Sequence, residues 1–385
     1  MSVFFISYLL FVFVFLVSYL LPVFLGYLFV GSSIAVSPAS TSAVLYSLSV
    51  LIVSSVVLAS LTRIPFRLSN QKIKFISLKP SFGLLFLILS LAFFFGFFLL
   101  ILSGIDLSSL EITRLTIFFQ YRYFKIIPLG IFAIMLLSLT HITSKYTKMQ
   151  LSIISALFFS ICSLFYYRQL FGLFSLAVVF SLFSIRRISL RVALLVIISL
   201  SIVFIGWNLL RSGSSFLGIR DEYLYAFNVY LNNAIQLSLF DQCIDELLSQ
   251  HGVLGFASIV SNLINTLNFF TQDKLTTSQM MFNSCLTETP ISYYKLTGGG
   301  ATYGILPELI FMTGSRSPFV VGLFLGLFAY VMCTIISLYT KNSSTFPFSV
   351  LLLLLLLTSI FDFPIAISRA IIITVSVQLL SLVAI

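Results

Sequence analysis

Long apolar runs with short polar segments between them dominate the chain from end to end. A helix needs roughly 17–25 apolar residues to cross a bilayer, and ten runs lie near or within that length. They are residues 4–30, 41–61, 82–103, 126–141, 150–166, 170–185, 192–210, 317–340, 346–361 and 364–384. The pattern predicts an all-α polytopic membrane protein with about 10 transmembrane helices, in a range of about 9–12.

The longest break in this apolar pattern runs from Arg211 to about Thr302 and contains seven of the eleven acidic residues. It divides the chain into N-terminal transmembrane helices (1–210), a large loop (211–316) and C-terminal transmembrane helices (317–385). Within the loop, apolar residues of 222–250 recur at a spacing of three to four, which predicts an amphipathic helix. Residues 253–270 are interpreted as a second loop helix or an interfacial segment.

Composition supports a membrane location. The chain is 59% hydrophobic and only 8% charged, and its mean hydropathy is +1.14. A soluble core cannot hide that much apolar surface, so we expect an integral membrane protein. The seven consecutive leucines Leu351–Leu357 are interpreted as lipid-facing.

Charge then orients the predicted spans. With ten spans, eleven basic residues and no acidic residue fall on one side of the membrane, and basic loops mark the cytoplasmic side. The remaining ten basic residues and all eleven acidic ones fall on the outer side. Both termini are therefore predicted inside and the large loop in the periplasm, so the net charge of +10 is a topology signal and not a sign of nucleic-acid binding. The inner basic residues are Arg63, Arg67, Lys72, Lys74, Lys79, Lys145, Lys148, Arg186, Arg187, Arg191 and Lys341.

The end of the large loop carries the first candidate chemistry. Gly298–Gly300 permits close approach to a ligand, and a short helix at about 305–313 is predicted to start at Pro307 and to end at Gly314. This helix is too short to cross a bilayer, so it is expected to be re-entrant or interfacial. Its N-terminus should present N–H groups that suit an anion. Glu308 is a candidate general base, or else it only complements the helix dipole.

Arginines on the outer side form the second candidate feature, because the guanidinium fork binds phosphate in a bidentate way. Arg211 and Arg220 open the large loop and Arg316 closes it, while Arg369 lies inside the last predicted span. An ionisable residue inside a span is a site candidate by default. Arg114 and Arg122 lie in the outer loop 104–125.

Metal chemistry has no motif to support it. The two histidines, His141 and His251, fall on opposite sides of the predicted membrane and cannot share a metal ion. We therefore expect no metal and no other cofactor.

Three local features give the chain a family resemblance: the N-x-x-R-x-G stretch Asn208–Gly213, the triplet Gly298–Gly300, and a glutamate in a short helix that ends at Gly314. With many Phe- and Leu-rich spans and one dominant outer loop, the chain resembles the bacterial O-antigen polymerases, also described as oligosaccharide repeat-unit polymerases. The arginine-to-glycine spacing of some members is absent after Arg211 and Arg220.

The resemblance implies the all-helical lipid-sugar glycosyltransferase fold and a metal-independent enzyme of lipopolysaccharide biosynthesis in the bacterial inner membrane. It implies transfer of the growing glycan from undecaprenyl pyrophosphate onto a new lipid-linked repeat unit at the periplasmic face. The implied partners are the lipid-linked donor and acceptor, membrane lipids and a chain-length regulator, with no nucleic acid. Glu308 is the catalytic candidate. The substrate-binding candidates are Arg211, Arg220, Arg114, Arg122, Gly298, Gly299, Gly300, Tyr303, Arg316 and Arg369.

Three alternatives stay open. A lipid-linked oligosaccharide flippase needs polar residues along a path between both faces, whereas the charges here favour the outer end. A sugar acyltransferase needs a catalytic histidine near the acyl donor, and His141 is predicted to be cytoplasmic. A ligase that passes glycan to the lipid A core is related to the polymerases, and the motifs separate the two only weakly.

The eleven-to-zero charge split predicts the result of a topology experiment. Reporters fused after Gln71 and after Lys148 should read cytoplasmic, and a reporter fused after Asp273 should read periplasmic. A cytoplasmic reading after Asp273 would contradict both the orientation and any outer-face site.

Overall fold

The computed structural model describes residues 2–28, 38–62, 168–184, 186, 188–212, 237, 260, 304–341, 345–361 and 363–383. These residues contain eight helices and no β-strand. The helices are α1 (Val3–Leu28), α2 (Pro38–Thr62), α3 (Arg168–Ser184), α4 (Leu190–Ser212), α5 (Ile305–Thr313), α6 (Pro318–Tyr339), α7 (Phe346–Thr358) and α8 (Phe363–Val383).

Seven of these described helices coincide with predicted spans, and α5 coincides with the predicted short helix. Windows within α1, α2 and α6 are long and apolar enough to cross a bilayer. The described part of the chain is thus an all-helical membrane protein. The predicted spans 82–103, 126–141 and 150–166 and most of the large loop lie outside the described residues. The ten-span topology and the periplasmic loop therefore stay predictions.

Among the described helices, α2 and α6 pack closely against each other. Two glycines of α6 have no side chain to hold the backbones apart. A Cβ atom on Gly322 would lie 2.7 Å from Val53 Cβ and 2.9 Å from the Val50 carbonyl oxygen. A Cβ atom on Gly326 would lie 2.9 Å from the Ser54 carbonyl oxygen. Glycines four residues apart are a common device for close packing of helices in membranes. Residue numbers rise together along both helices, so α2 and α6 run parallel.

Helix α1 crosses this pair in the opposite direction. The Phe4 ring lies 5.9 Å from the ring of Tyr330, in the second half of α6. The Tyr8 hydroxyl hydrogen-bonds to the Ser55 hydroxyl of α2 at 2.8 Å. Further along α1, Tyr19 reaches Leu306, which precedes α6 in the chain. Helix α1 therefore runs antiparallel to α2 and α6.

A tight connection joins α6 to α7. The Thr345 hydroxyl donates to the Tyr339 carbonyl, and the Phe348 N–H donates to the Thr345 carbonyl at 3.0 Å. Lys341, just after α6, is exposed. Helix α7 itself packs against α3 and α8.

The lipid-facing interpretation of Leu351–Leu357 is wrong for four of its seven leucines. Leu351, Leu352, Leu355 and Leu356 are at most 1% exposed and belong to the core. A helix that is apolar all round is typically buried. Because this run has no polar positions, its sequence does not indicate which face is turned toward the core.

Replacing the interhelical glycines by alanine should loosen the α2–α6 contact. Because overpacking of a tight core typically costs about 1–3 kcal/mol, we expect Gly322→Ala and Gly326→Ala each to lower the free energy of unfolding in detergent by about that amount. Val331→Ala, on the exposed side of α6, is the matched control and should change it by less than about 1 kcal/mol. An equal loss of unfolding free energy in all three variants would contradict the role of the two glycines in the close α2–α6 contact.

Candidate functional site

Helix α5 is buried along almost its whole length. Every residue from Ile305 to Met312 is buried, and the helix contacts α6 and α8. The backbone enters it at Gly304 with φ 81° and ψ 175°, and leaves it at Gly314 with φ 62° and ψ 18°. The predicted bounds and the glycine stop are confirmed. Pro307 is the third residue of the helix and not the first, which still suits a position whose N–H has no partner within the helix.

The first N–H groups of α5 are used within the protein. The Ile305 N–H donates to the Ile360 carbonyl at 2.9 Å, and the Leu306 N–H donates to the Tyr19 hydroxyl at 3.4 Å. Pro307 has no N–H at all. The prediction that this terminus offers its N–H groups to an anion is therefore wrong for these three residues.

Glu308 is the charged residue of this buried helix. It is 2% exposed, its Oε2 atom is fully buried, and its neighbours in α5 are apolar. Burial of a carboxylate is costly unless other groups stabilise it. Glu308, Arg316 and Arg369 each interact with another group of the chain, so none of them is an isolated charge.

Two of the predicted arginines come from elements that flank α5. Arg316 is exposed in the short connection between α5 and α6. Arg369 is half-buried and is the seventh residue of α8, about 9 Å along that helix from its start at 1.5 Å per residue. Glu308 therefore stands on a helix that contacts α8, which carries Arg369, and that is followed in the chain by the connection with Arg316.

The described residues do not show the other site candidates next to α5. Arg211 lies in the last turn of α4, and its side chain is outside the description. The remaining candidates lie wholly outside the described residues: Arg114, Arg122, Arg220, Gly298, Gly299, Gly300 and Tyr303. Their roles stay predictions.

The sequence reasoning missed the groups that hold α5 in place, namely Gly304, Tyr19 and the Ile360 carbonyl. Tyr19 ends a buried aromatic stripe on α1, in which the Phe15 and Tyr19 ring centroids are 4.6 Å apart. The stripe also contains Tyr8 and Phe11, at helical spacing. That spacing was visible in the sequence and would have identified a core face of α1, but it does not indicate which backbone group the Tyr19 hydroxyl meets.

No protein-family model, curated protein or solved structure matches this chain. The family therefore remains an expectation that rests on the sequence resemblance. The candidate site is a buried carboxylate on a short helix that contacts the Arg369-bearing α8 and is followed in the chain by Arg316.

The backbone conformation at Gly304 predicts that the start of α5 tolerates a side chain less well than its end does. Its φ and ψ lie in a region that is essentially restricted to glycine, where strain is about 1–3 kcal/mol. Gly304→Ala should lower the unfolding free energy by that amount and speed hydrogen exchange at the Ile305 N–H. Gly314→Asn is the control, because asparagine tolerates the left-handed conformation found there. Similar exchange in the two variants would contradict this account of the entry to α5.

Proposed function

We propose that this protein is an O-antigen polymerase of the bacterial inner membrane, a metal-independent glycosyltransferase that acts at the periplasmic face. The observation that carries the proposal is the burial of Glu308 on α5, a helix that contacts the Arg369-bearing α8 and precedes Arg316 in the chain. A buried carboxylate on a helix that packs against an arginine-bearing helix suits proton transfer next to an anionic leaving group. The sequence resemblance supplies the substrate class.

In the proposed reaction, a hydroxyl group at the non-reducing end of a lipid-linked repeat unit attacks the anomeric carbon of the growing glycan. Glu308 accepts the hydroxyl proton as the new C–O bond forms. The bond between the anomeric carbon and the pyrophosphate oxygen breaks, and undecaprenyl pyrophosphate leaves with the electron pair. The lengthened glycan remains on the lipid of the acceptor unit.

The arginines have the task of stabilising the leaving group. Because the Ile305 and Leu306 N–H groups are used inside the protein, the pyrophosphate charge falls to side chains. Arg316 is accessible and Arg369 is half-buried, so they suit the outer and the inner part of a bidentate phosphate clamp. Arg211 and Arg220, at the entrance of the large loop, are proposed to hold the same substrate.

The position of the embedded charges favours a transferase over a flippase. Among the described residues, Glu308 and Arg369 lie on helices that meet near the Ile360 turn, at one end of the bundle. A flippase needs polar groups along the whole path between the two faces. Beyond that end, the described interior contains buried serines such as Ser47 and Ser54, and the buried Thr345, but no buried charged residue.

The decisive test compares Glu308→Gln and Glu308→Asp in purified protein at matched folding. Glutamine keeps the size of the side chain but cannot act as a base, so polymer formation should fall by about 10²–10⁴-fold while donor binding persists. Aspartate withdraws the carboxylate by one methylene group and should leave only residual activity. The readout is the length distribution of glycan made from lipid-linked repeat units.

Lys341→Ala, at an exposed turn far from α5 in the chain, is the matched charge control and should leave the chain length unchanged. A helix-dipole role for Glu308 would cost only about 0.3–1 kcal/mol and aspartate would serve as well. Near-normal polymer from the glutamine variant would remove Glu308 from the chemistry.

A further inference from the structure

Tyr19 is one of the largest fully buried side chains among the described residues, at 1% exposed. Its ring packs against Phe15, with the two ring centroids 4.6 Å apart. Its hydroxyl accepts a hydrogen bond from the Leu306 N–H at 3.4 Å. A phenylalanine would serve the ring contact equally well, whereas a buried hydroxyl is costly unless it has a hydrogen-bond partner. The hydroxyl is therefore explained by its bond to α5.

The start of α5 has few attachments of this kind. The Ile305 N–H is held by the backbone carbonyl of Ile360 at 2.9 Å, a group that any residue at that position supplies. Pro307 has no N–H. Among the described hydrogen bonds of these first three residues, only the bond to Leu306 depends on a side chain of another helix. Because Leu306 is fully buried, loss of the Tyr19 hydroxyl would leave its N–H without this acceptor.

The attachment lies close to the candidate proton acceptor. Glu308 follows Leu306 by two residues, which is about 3 Å along the helix axis at 1.5 Å per residue. Glu308 is 2% exposed, and its neighbours in α5 are buried apolar residues, so its carboxylate follows a displacement of the helix start. Misplacement of a reacting group by about 1 Å can slow a reaction about 10²-fold. A hydroxyl group on α1 can thus affect proton transfer at Glu308 without contacting the substrate.

We propose that Tyr19 is a positioning residue for Glu308, an inference that rests on the proposed function. The Tyr19 hydroxyl holds the Leu306 N–H and thereby fixes the first turn of α5, from which the Glu308 carboxylate reaches the acceptor hydroxyl. Helix α1 carries none of the site residues that the sequence predicts. It takes part in the reaction through a contact between residues 287 positions apart in the chain.

The test compares two substitutions that each remove one hydroxyl group from α1. Tyr19→Phe removes the acceptor of the Leu306 N–H. Tyr8→Phe is the matched control, because it removes the 2.8 Å hydrogen bond between Tyr8 and Ser55 of α2, about 17 Å along α1 from Tyr19 at 1.5 Å per residue. The measurements are kcat and KM for polymer formation by purified full-length protein, unfolding in detergent, and hydrogen exchange at the Leu306 N–H.

We expect Tyr19→Phe to lower kcat about 10- to 100-fold and to change KM by less than about 2-fold, because the groups that bind substrate are unchanged and only the proton acceptor is displaced. Hydrogen exchange at Leu306 should be faster in Tyr19→Phe and unchanged in Tyr8→Phe. Because Tyr8 is distant from α5, its variant should keep the wild-type kcat even where it lowers stability by as much. An equal loss of kcat in the two variants would overturn the proposal.

A second variant removes the donor instead of the acceptor. The α-hydroxy analogue of leucine at position 306 replaces the amide by an ester, which has no N–H, and leaves every side chain in place. This variant should lower kcat to the same extent as Tyr19→Phe. A wild-type kcat in the folded ester variant would overturn the proposal, whether or not Tyr19→Phe folds.

A double variant distinguishes positioning from general destabilisation. Tyr19→Phe should cause no further loss of activity in a Glu308→Gln background, because the effects of residues that act as a unit are not additive. Losses that multiply in the double variant would overturn the positioning role. Inactive Glu308→Gln with wild-type kcat in Tyr19→Phe would overturn it as well, while leaving the proposed function intact. Near-normal polymer from Glu308→Gln would refute the proposed function, and the positioning role would fall with it.

Discussion

The arrangement of the site depends on one constraint: a helix of nine residues cannot cross a bilayer, so a buried one must have its backbone groups satisfied by protein. Tyr19 and the Ile360 carbonyl accept the N–H groups of Leu306 and Ile305, and Pro307 removes the need for a third acceptor. The start of α5 is thereby tied to α1 and to the connection between α7 and α8. Glu308 follows directly after these anchored residues, so its carboxylate is carried by the best-fixed part of the helix.

This anchoring affects which groups are left to bind an anion. Helix termini commonly bind anions through free N–H groups, but α5 has committed its own to holding itself in place. In the proposed function, negative charge on a substrate meets guanidinium groups instead, which come from the connection after α5 and from α8. The arrangement combines an apolar scaffold with an exposed cation at Arg316 and a half-buried one at Arg369.

Local pattern was enough to predict the helices but not their partners. Apolar runs predicted seven of the described helices, and the terminal glycine predicted the end of α5, whereas the proline lies two residues inside its start. The Tyr19–Leu306 contact joins residues 287 positions apart, and no local spacing reports such a pairing. The interpretation of the seven-leucine run was wrong for a related reason. Uniform apolarity predicts that a helix avoids water, but it does not show whether lipid or protein covers each face. The glycine pair of α6 was a readable signal that went unused.

The parallel contact between α2 and α6 also determines when the molecule can be completed. Gly322 and Val53 are far apart in the chain, and at a synthesis rate of roughly 5–20 residues per second α6 follows α2 by on the order of tens of seconds. During that interval the face of α2 that will receive the glycines must be covered by lipid or by other parts of the chain. The packing of α6 on α2, and with it the surroundings of α5, therefore forms only late in synthesis of the chain.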